Sequence, residues 1–420
     1  MKNYDIAVPQ IYDDKLDRLQ FAKRFADAID QMDIREEGFV AALTGPWGSG
    51  KSTLINFIVH FIRQKRIAYF YQKNTEKSFS DISDLPATEK TFFKIKKTID
   101  HYSFLNKNFY LSRGEFRDRV ITDHIESGAD IDDVYNYMIA EKQANDQPTH
   151  AIIRFSPWAL GKSVNITQSI ISEISIAISD NFEEEVKENI KNYLKYISLF
   201  TTTTTARSLG IQSDFNNAID RIFEKKQKSI NEIKHEISNQ LLNSKSNIKN
   251  IIIIIDDLDR INKEECHELI SAIKGIANMP RVFYLLSYDQ NAFSSIVAKS
   301  IHEQDNPEKG HEFLNKIVQY SREIPLPQRS KMAQIFQEHL LELLEAHNQT
   351  QNTTKERISY VWENIISKYA KTPRDLKRLF NSYAMSISAV GEITEPSDLL
   401  TLTAIEVFDY DSYKLLRDVI

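Results

Sequence analysis

Apolar residues in this chain gather into short uninterrupted runs separated by longer stretches of helical periodicity. Phe39-Val40-Ala41-Ala42-Leu43, Ile152-Ile153-Arg154-Phe155, Ile251 to Ile255 and Val282-Phe283-Tyr284-Leu285-Leu286 each have the length of a strand. Runs with little polar alternation belong to strands buried on both faces, as in a parallel sheet covered by helices. Ile324-Pro325-Leu326-Pro327 reads as a further strand, confined to an edge or a strand end because proline cannot donate to a ladder. After the first run, Leu54, Ile58, Phe61 and Ile62 recur at helical spacing. Strands alternating with helices predict a doubly wound α/β fold of about five strands.

Two stretches interrupt that alternation. Residues from about 66 to 149 are polar, longer than an ordinary connection, and end in the loop-like Asn145-Asp146-Gln147-Pro148. They read as an inserted, partly helical subdomain. Residues from about 183 to 247 carry charged helical patterns such as Phe223 to Ile237, broken at Thr201 to Thr205, where a run of β-branched hydroxyl side chains disfavours a continuous helix. From about 331 onward the pattern is helical without strands. Ile335, His339, Leu340, Leu343 and Leu344 share a stripe, Gln349 to Thr354 reads as a loop, and Thr372-Pro373-Arg374-Asp375 opens another helix with proline in its first turn. The expected division is a core over 1–330, with helical insertions at about 66–149 and 183–247, and a helical domain over 331–420.

Composition narrows the classes open to such a chain. Its 420 residues are 41% hydrophobic and 27% charged, the balance of a soluble globular protein. The single cysteine, Cys266, excludes an internal disulfide and a thiolate zinc cage. Met1 to Gln10 lack the apolar stretch of a signal peptide, and no run approaches the roughly 20 apolar residues of a membrane-spanning helix, so the expected location is cytoplasmic. A net charge of −6 gives no global attraction to nucleic acid. Lys94-Lys96-Lys97 and Lys225-Lys226-Lys228 are local basic clusters, of a kind that more often lines a solvated face. Glycine is the telling count, with only 11 in the chain and three of them between Gly45 and Gly50.

Those glycines lie in Gly45-Pro46-Trp47-Gly48-Ser49-Gly50-Lys51-Ser52-Thr53, which fits GxxxxGK[ST] with a strand before it and a helix after it. Glycine permits backbone angles that turn successive N–H groups toward one phosphate, and the new helix directs its positive end at the same anion. Lys51 is the candidate contact to the β- and γ-phosphates, and Ser52 to magnesium. A second Gly161-Lys162-Ser163 has Ser156 where the first glycine belongs and lacks the loop. The isoleucine run ends in Asp256-Asp257-Leu258-Asp259-Arg260, and the carboxyl end of a strand is where an open α/β sheet places its ligand. Asp256 is assigned to the magnesium shell and Asp257 to the attacking water, as base or orienter. Asp259 and Arg260 are expected to form a local ion pair. Ser287 and Asp289, at the end of the next strand, are candidate contacts to the γ-phosphate or its water; capping of the following helix is the alternative. Arg374 and Arg378, one turn apart on one face, are candidates to meet a common anion, with a surface basic pair as the alternative. Glu264-Glu265-Cys266-His267-Glu268 has metal-capable side chains, but consecutive helical positions point them apart.

Together these blocks resemble the KAP family of P-loop NTPases, to which the Ser156-Pro157-Trp158 stop, the Phe313 to Gln319 segment and the stretch from Thr372 to Asn381 also correspond. The resemblance implies a P-loop NTPase core of the additional-strand class, binding ATP with Mg2+, and a C-terminal helical lid whose arginine, here Arg374, senses the γ-phosphate. Asp17-Arg18-Leu19-Gln20-Phe21-Ala22 resembles the family's opening segment, which makes Arg18 a nucleotide contact near base and ribose. The resemblance further implies hydrolysis linked to homo-oligomerisation, with Arg322 and Lys316 as candidates for a cation supplied in trans. The paired membrane helices of many members have no counterpart in this pattern. Exclusion of phage by bacterial relatives makes a defence role, acting through a partner effector, a family-level expectation. Two alternatives stay open: a nucleotide-gated scaffold with negligible hydrolysis, and a nucleic-acid-stimulated motor.

Overall fold

The structure, a computed structural model, describes residues 14–82, 85–103, 125–160, 248–277, 280–301, 306–390 and 393–419, with a few isolated positions between these spans. Among them β1 (Phe39–Thr44), β2 (His150–Phe155), β3 (Asn250–Ile255), β4 (Val282–Tyr288) and β5 (Tyr320–Glu323) form one sheet in the order β2-β3-β4-β1-β5. Every pairing is parallel, so all strands end along the same edge. One strand, β4, lies between β1 and β3, the extra strand that the additional-strand class requires.

The isoleucine run shows why this sheet needs helices on both sides. Ile251, Ile253 and Ile255 enter a core with α5 (Lys263–Ala277), α6 (Gln290–Ser300) and α7 (Pro307–Leu314). Ile252 and Ile254 enter the opposite core with α1 (Leu19–Gln31) and α2 (Lys51–Thr75). A strand buried on both faces has no polar positions to alternate with, hence the unbroken run. The sequence expectation for the last strand needs correction. β5 is Tyr320–Glu323, four exposed residues held by pairing to β1 from Ala41↔Tyr320 to Thr44↔Glu323. Ile324 adds one more bond, donating from its N–H to the Thr44 carbonyl at 2.8 Å, and Pro325 then ends the ladder.

Helix α2 continues to Thr75, beyond the expected start of the first insertion. Its second half packs Ile67, Phe70 and Tyr71 against α3 (Leu85–Ser103) and α4 (Ile131–Asp146), building a separate core around Phe92, Val134 and Tyr137. Buried hydroxyls there are satisfied: Tyr71 donates to Asp133 at 2.7 Å and Tyr137 to Glu89 at 3.0 Å. Two lysines of the basic run on α3 are locally neutralised, Lys94 pairing with Glu126 and Lys96 with Glu141 at 2.7 Å. Gly161-Lys162-Ser163, the threonine run, the Lys225 cluster and nearly all of 183–247 lie outside the described residues.

The C-terminal helices α8 (Arg329–Ala346), α9 (Lys355–Val361, continued by a wide turn at Trp362–Ile366 and a last turn at Ser367–Tyr369), α10 (Pro373–Val390) and α11 (Pro396–Phe408) close on their own core. Phe336 stacks on Trp362 at 4.9 Å within it. The final helix, α12 (Tyr410–Val419), follows α11.

One glycine shows how tightly the first of these cores is built. A Cβ on Gly310, in α7, would lie 1.9 Å from the Ser294 carbonyl oxygen of α6. Backbone meets backbone there, so nothing can yield without moving a helix. Gly310→Ala is expected to destabilise the fold by about 3 kcal/mol, read as a lowered thermal midpoint by circular dichroism. An unchanged midpoint would show that α6 and α7 do not approach this closely.

Candidate nucleotide-binding site

The loop from Gly45 to Gly50 joins β1 to α2. Gly48 and Gly50 have φ of +79° and +93°, the left-handed region that favours glycine. Packing is the second reason for these glycines: a Cβ on Gly48 would come within 2.5 Å of the Arg374 Cβ, and one on Gly50 within 2.7 Å of the Arg18 guanidinium. The loop therefore runs directly beneath both arginines. Pro46 accepts from the Ser49 hydroxyl at 2.5 Å, which tightens the turn.

Lys51 is buried at the first position of α2, its Nζ donating to the Gly45 carbonyl at 2.8 Å and reaching that of Pro46 at 3.3 Å. Burial lowers its proton affinity, and the surrounding Asp259, Asp289, Asp256 and Asp257 oppose that effect. Ser52 donates from Oγ to Asp256 Oδ2 at 2.7 Å. The two sequence motifs thus meet across the intervening β4. Thr53 follows, half-buried, on α2. A hydroxyl and a carboxylate are the hard oxygen donors that Mg2+ takes, and this ion keeps several waters, so few protein oxygens suffice. Among the described residues no group of three or more His, Cys, Asp or Glu is placed to hold a metal, so a magnesium ion would draw its remaining ligands from phosphate and water.

Asp257 follows at φ +61°, in the left-handed region that aspartate enters more readily than most residues with a side chain. Its N–H donates to Asp256 Oδ1 at 2.9 Å. Its carboxylate pairs with Arg260 at 3.1 Å, so Arg260 pairs with Asp257 where the sequence expectation had Asp259. Leu258–Arg260 is a 3-10 turn, in which residues three apart eclipse, and that geometry selects the more distant partner. Burial and then the charge of Asp256 raise the Asp257 carboxyl above the ordinary range, with Arg260 opposing.

Asp289 caps α6, its Oδ1 accepting from the N–H groups of Asn291 and Ala292, each at 3.0 Å. The helix-capping alternative holds for its geometry, while its charge still reaches Lys51. Ser287 is fully buried in β4, and its hydroxyl has no hydrogen-bond partner among the described residues. Arg18 is 2% exposed and braces the loop from behind, donating to the Ser49 carbonyl at 2.5 Å and that of Pro325 at 2.6 Å. Burial brings its pKa down to about 10, with Asp14 opposing.

Two tryptophans with no role of their own in the sequence motifs complete the arrangement. The Arg374 guanidinium sits 4.3 Å from the Trp47 ring centre. Arg260 lies 5.6 Å from the same ring and 5.9 Å from Trp158, the residue that follows β2 in the Ser156-Pro157-Trp158 stop. Both indoles are 58% exposed. A cationic and aromatic ladder therefore runs from α10 through the phosphate loop to the acidic turn. Arg322 is exposed on β5 in register with Leu43, bonded to the Tyr320 hydroxyl at 3.0 Å, and Lys316 is exposed in the turn before it.

Comparison with known proteins bears on the family of the chain. The family model described as the KAP family P-loop domain matches residues 18–387. The phage T7 exclusion protein of Escherichia coli strain K12 is 24% identical over 229 residues, 54% of this chain and 29% of that one, so the match spans less than a third of that relative's length. The Aeropyrum pernix ORC2 protein, solved as ADPNP–ADP complexes, superposes with a TM-score of 0.35 and 10% identity over 96% of this chain and 71% of that one, a level that unrelated topologies also reach. The span matched by the family model takes in the phosphate loop, the acidic end of β3 and most of the C-terminal helices together, and the chain belongs to the KAP family of P-loop NTPases.

Proposed function

We propose that this protein binds ATP with Mg2+ and hydrolyses it, coupling nucleotide state to self-assembly or to a partner effector. The observation that carries the reading is the 2.7 Å contact of Ser52 with Asp256, which brings two motifs 204 residues apart together, as a shared phosphate and metal site requires. Lys51 and the loop amides hold the β- and γ-phosphates, Ser52 and Asp256 hold the ion, and Asp257 orients the water and takes its proton. Bound Mg2+ neutralises charge on the phosphate oxygens. Arg374 stands over the loop, positioned to exchange the Trp47 ring for a γ-phosphate. Ser287 and Asp289 flank the same edge as sensors, and Arg18 fixes the loop on which the nucleotide rests. Arg322 or Lys316, exposed near the last strand, is the cation offered to a neighbouring copy. Likeness to a phage exclusion protein supports a role in defence against phage.

One observation favours the scaffold alternative, in which ATP is bound and kept: the Asp257 carboxylate is already engaged by Arg260. Phosphate release measured alongside molecular mass, with ATP, ADP and no nucleotide, separates the two. Release with Mg-ATP supports the hydrolase, and ATP-dependent mass without release under any condition supports the scaffold.

The ion pair also sets a pH dependence. Asp257 must be ionised to accept a proton, so activity falls as pH drops through its raised pKa. Arg260 holds that pKa down, and Arg260→Gln is expected to move the acid limb of kcat/KM to higher pH, with Arg260→Lys restoring part of the shift. An acid limb that stays in place would dissociate Arg260 from the reacting carboxylate.

A further inference from the structure

A cavity of about 730 Å3 lies between α2, α3, α4 and β2, and neither the phosphate loop nor Asp256 and Asp257 line it. Its size is that of a small-molecule site. Its wall is cationic: Arg63 and Arg66 come from α2, Lys96 from α3 and Arg154 from β2. Lys96 is neutralised by Glu141, which leaves three guanidiniums facing Glu173 as the other carboxylate on the wall. Among the described residues none of the three makes an ion pair. Arg154 donates to the Asn56 side chain at 2.7 Å, and Arg66 donates to the Gln147 carbonyl at 2.7 Å while lying over the Tyr69 and Phe70 rings. Desolvation and then the like charge of Arg63 disfavour ionised Arg154, with Asp256 opposing.

The floor adds donors of a second kind. His150 to Arg154 line the cavity consecutively, as the edge of a strand does and a face does not. β2 is outermost in the described sheet and pairs there with β3, so alternate N–H groups on its other side have no ladder partner among the described residues. Guanidinium forks and the backbone of an edge strand lining one cavity are the groups that match the oxygens of a phosphate.

We propose that this cavity binds a small phosphate-bearing anion at a site separate from the phosphate loop, held by Arg63, Arg66 and Arg154. A polymer would need a basic stripe continuing outward, and the adjoining Lys94 and Lys96 are instead paired with Glu126 and Glu141. The site adjoins the nucleotide machinery through one helix. Asn56, which anchors Arg154, follows Ser52 by one turn of α2, and the charge of Asp256 reaches Arg154 directly. An anion that draws Arg154 away from Asn56 acts on the helix that carries the metal-binding serine.

The test is equilibrium dialysis of labelled inorganic pyrophosphate against the full chain without magnesium. With the loop disabled by Lys51→Met, one site per chain is expected to remain, and adding Arg63→Gln and Arg154→Gln is expected to weaken it at least about tenfold. In the Lys51 protein the two arginine changes are expected to leave a pyrophosphate-binding loop site, shifted at most a few-fold by loss of the Arg154–Asn56 contact, which also reports folding. Should the double change unfold the chain, the exposed Arg63→Gln alone serves, with a smaller loss expected. Parallel arms with ADP and orthophosphate distinguish a nucleotide ligand from an inorganic one. No residual site in Lys51→Met, or a residual site indifferent to the arginines, overturns the proposal. So does arginine-dependent binding of a dodecathymidylate by a chain that ignores pyrophosphate. None of these outcomes depends on whether ATP is hydrolysed.

Discussion

Lys51→Met is expected to weaken Mg-ATP binding by roughly 100-fold or more, the loss of charge-assisted hydrogen bonds worth about 3 kcal/mol. Two effects add. The phosphates lose the ammonium, and they also meet Asp256, Asp257, Asp259 and Asp289 without the cation that those carboxylates surround. The same variant is expected to keep its thermal midpoint. Burial disfavours the ionised lysine, so its folded pKa is lowered and its charge adds no folding stability at neutral pH. Within the protein, methionine forfeits the ammonium's hydrogen bonds to the Gly45 and Pro46 carbonyls and its attraction to the four carboxylates, losses that relief from burying the charge offsets. Titration calorimetry with Mg-ATP, paired with thermal melting, reads both results. Undiminished heat of binding would remove the phosphate loop from the site.

Asp257→Asn is expected to retain nucleotide affinity while phosphate release falls about 100- to 10,000-fold, the range associated with a general base. Asparagine is the instructive replacement because it keeps the shape of the side chain and tolerates the left-handed backbone at φ +61°. Alanine would add strain to the chemical loss. The neutral amide cannot take a proton from water and no longer pairs with Arg260. Phosphate release at the level of the parent protein would reassign the base.

Much of this site was legible along the chain because its signals are local. GxxxxGK[ST] needs only eight consecutive positions, Gly45 to Ser52, and β3 announces itself because burial on both faces removes polar alternation. Signals that depend on a distant partner were not legible. Strand β5 has four exposed side chains, and its identity comes from hydrogen bonds to β1, which no hydropathy pattern records. Along α2 the periodicity continues unchanged while the partner of the apolar face changes, from the sheet at Leu54 to Ile62 to the inserted helices at Ile67 to Tyr71. A helix boundary cannot be placed where only the neighbour differs. Arg260 chose Asp257 over Asp259 through the geometry of a 3-10 turn rather than through adjacency. The ladder of Arg374, Trp47, Arg260 and Trp158 joins four distant segments, so no spacing within any one of them could disclose it.

That ladder gives the chain an optical gauge of its own. Of its three tryptophans, Trp362 is enclosed among the C-terminal helices, whereas Trp47 and Trp158 face solvent beside guanidinium groups. Emission from the wet indoles lies to the red of the enclosed one, and the intensity of Trp47 follows the distance to Arg374. With Trp158 and Trp362 replaced by phenylalanine, ultraviolet fluorescence alone would report any change in the separation of α10 and the phosphate loop when nucleotide is added, with no dye attached.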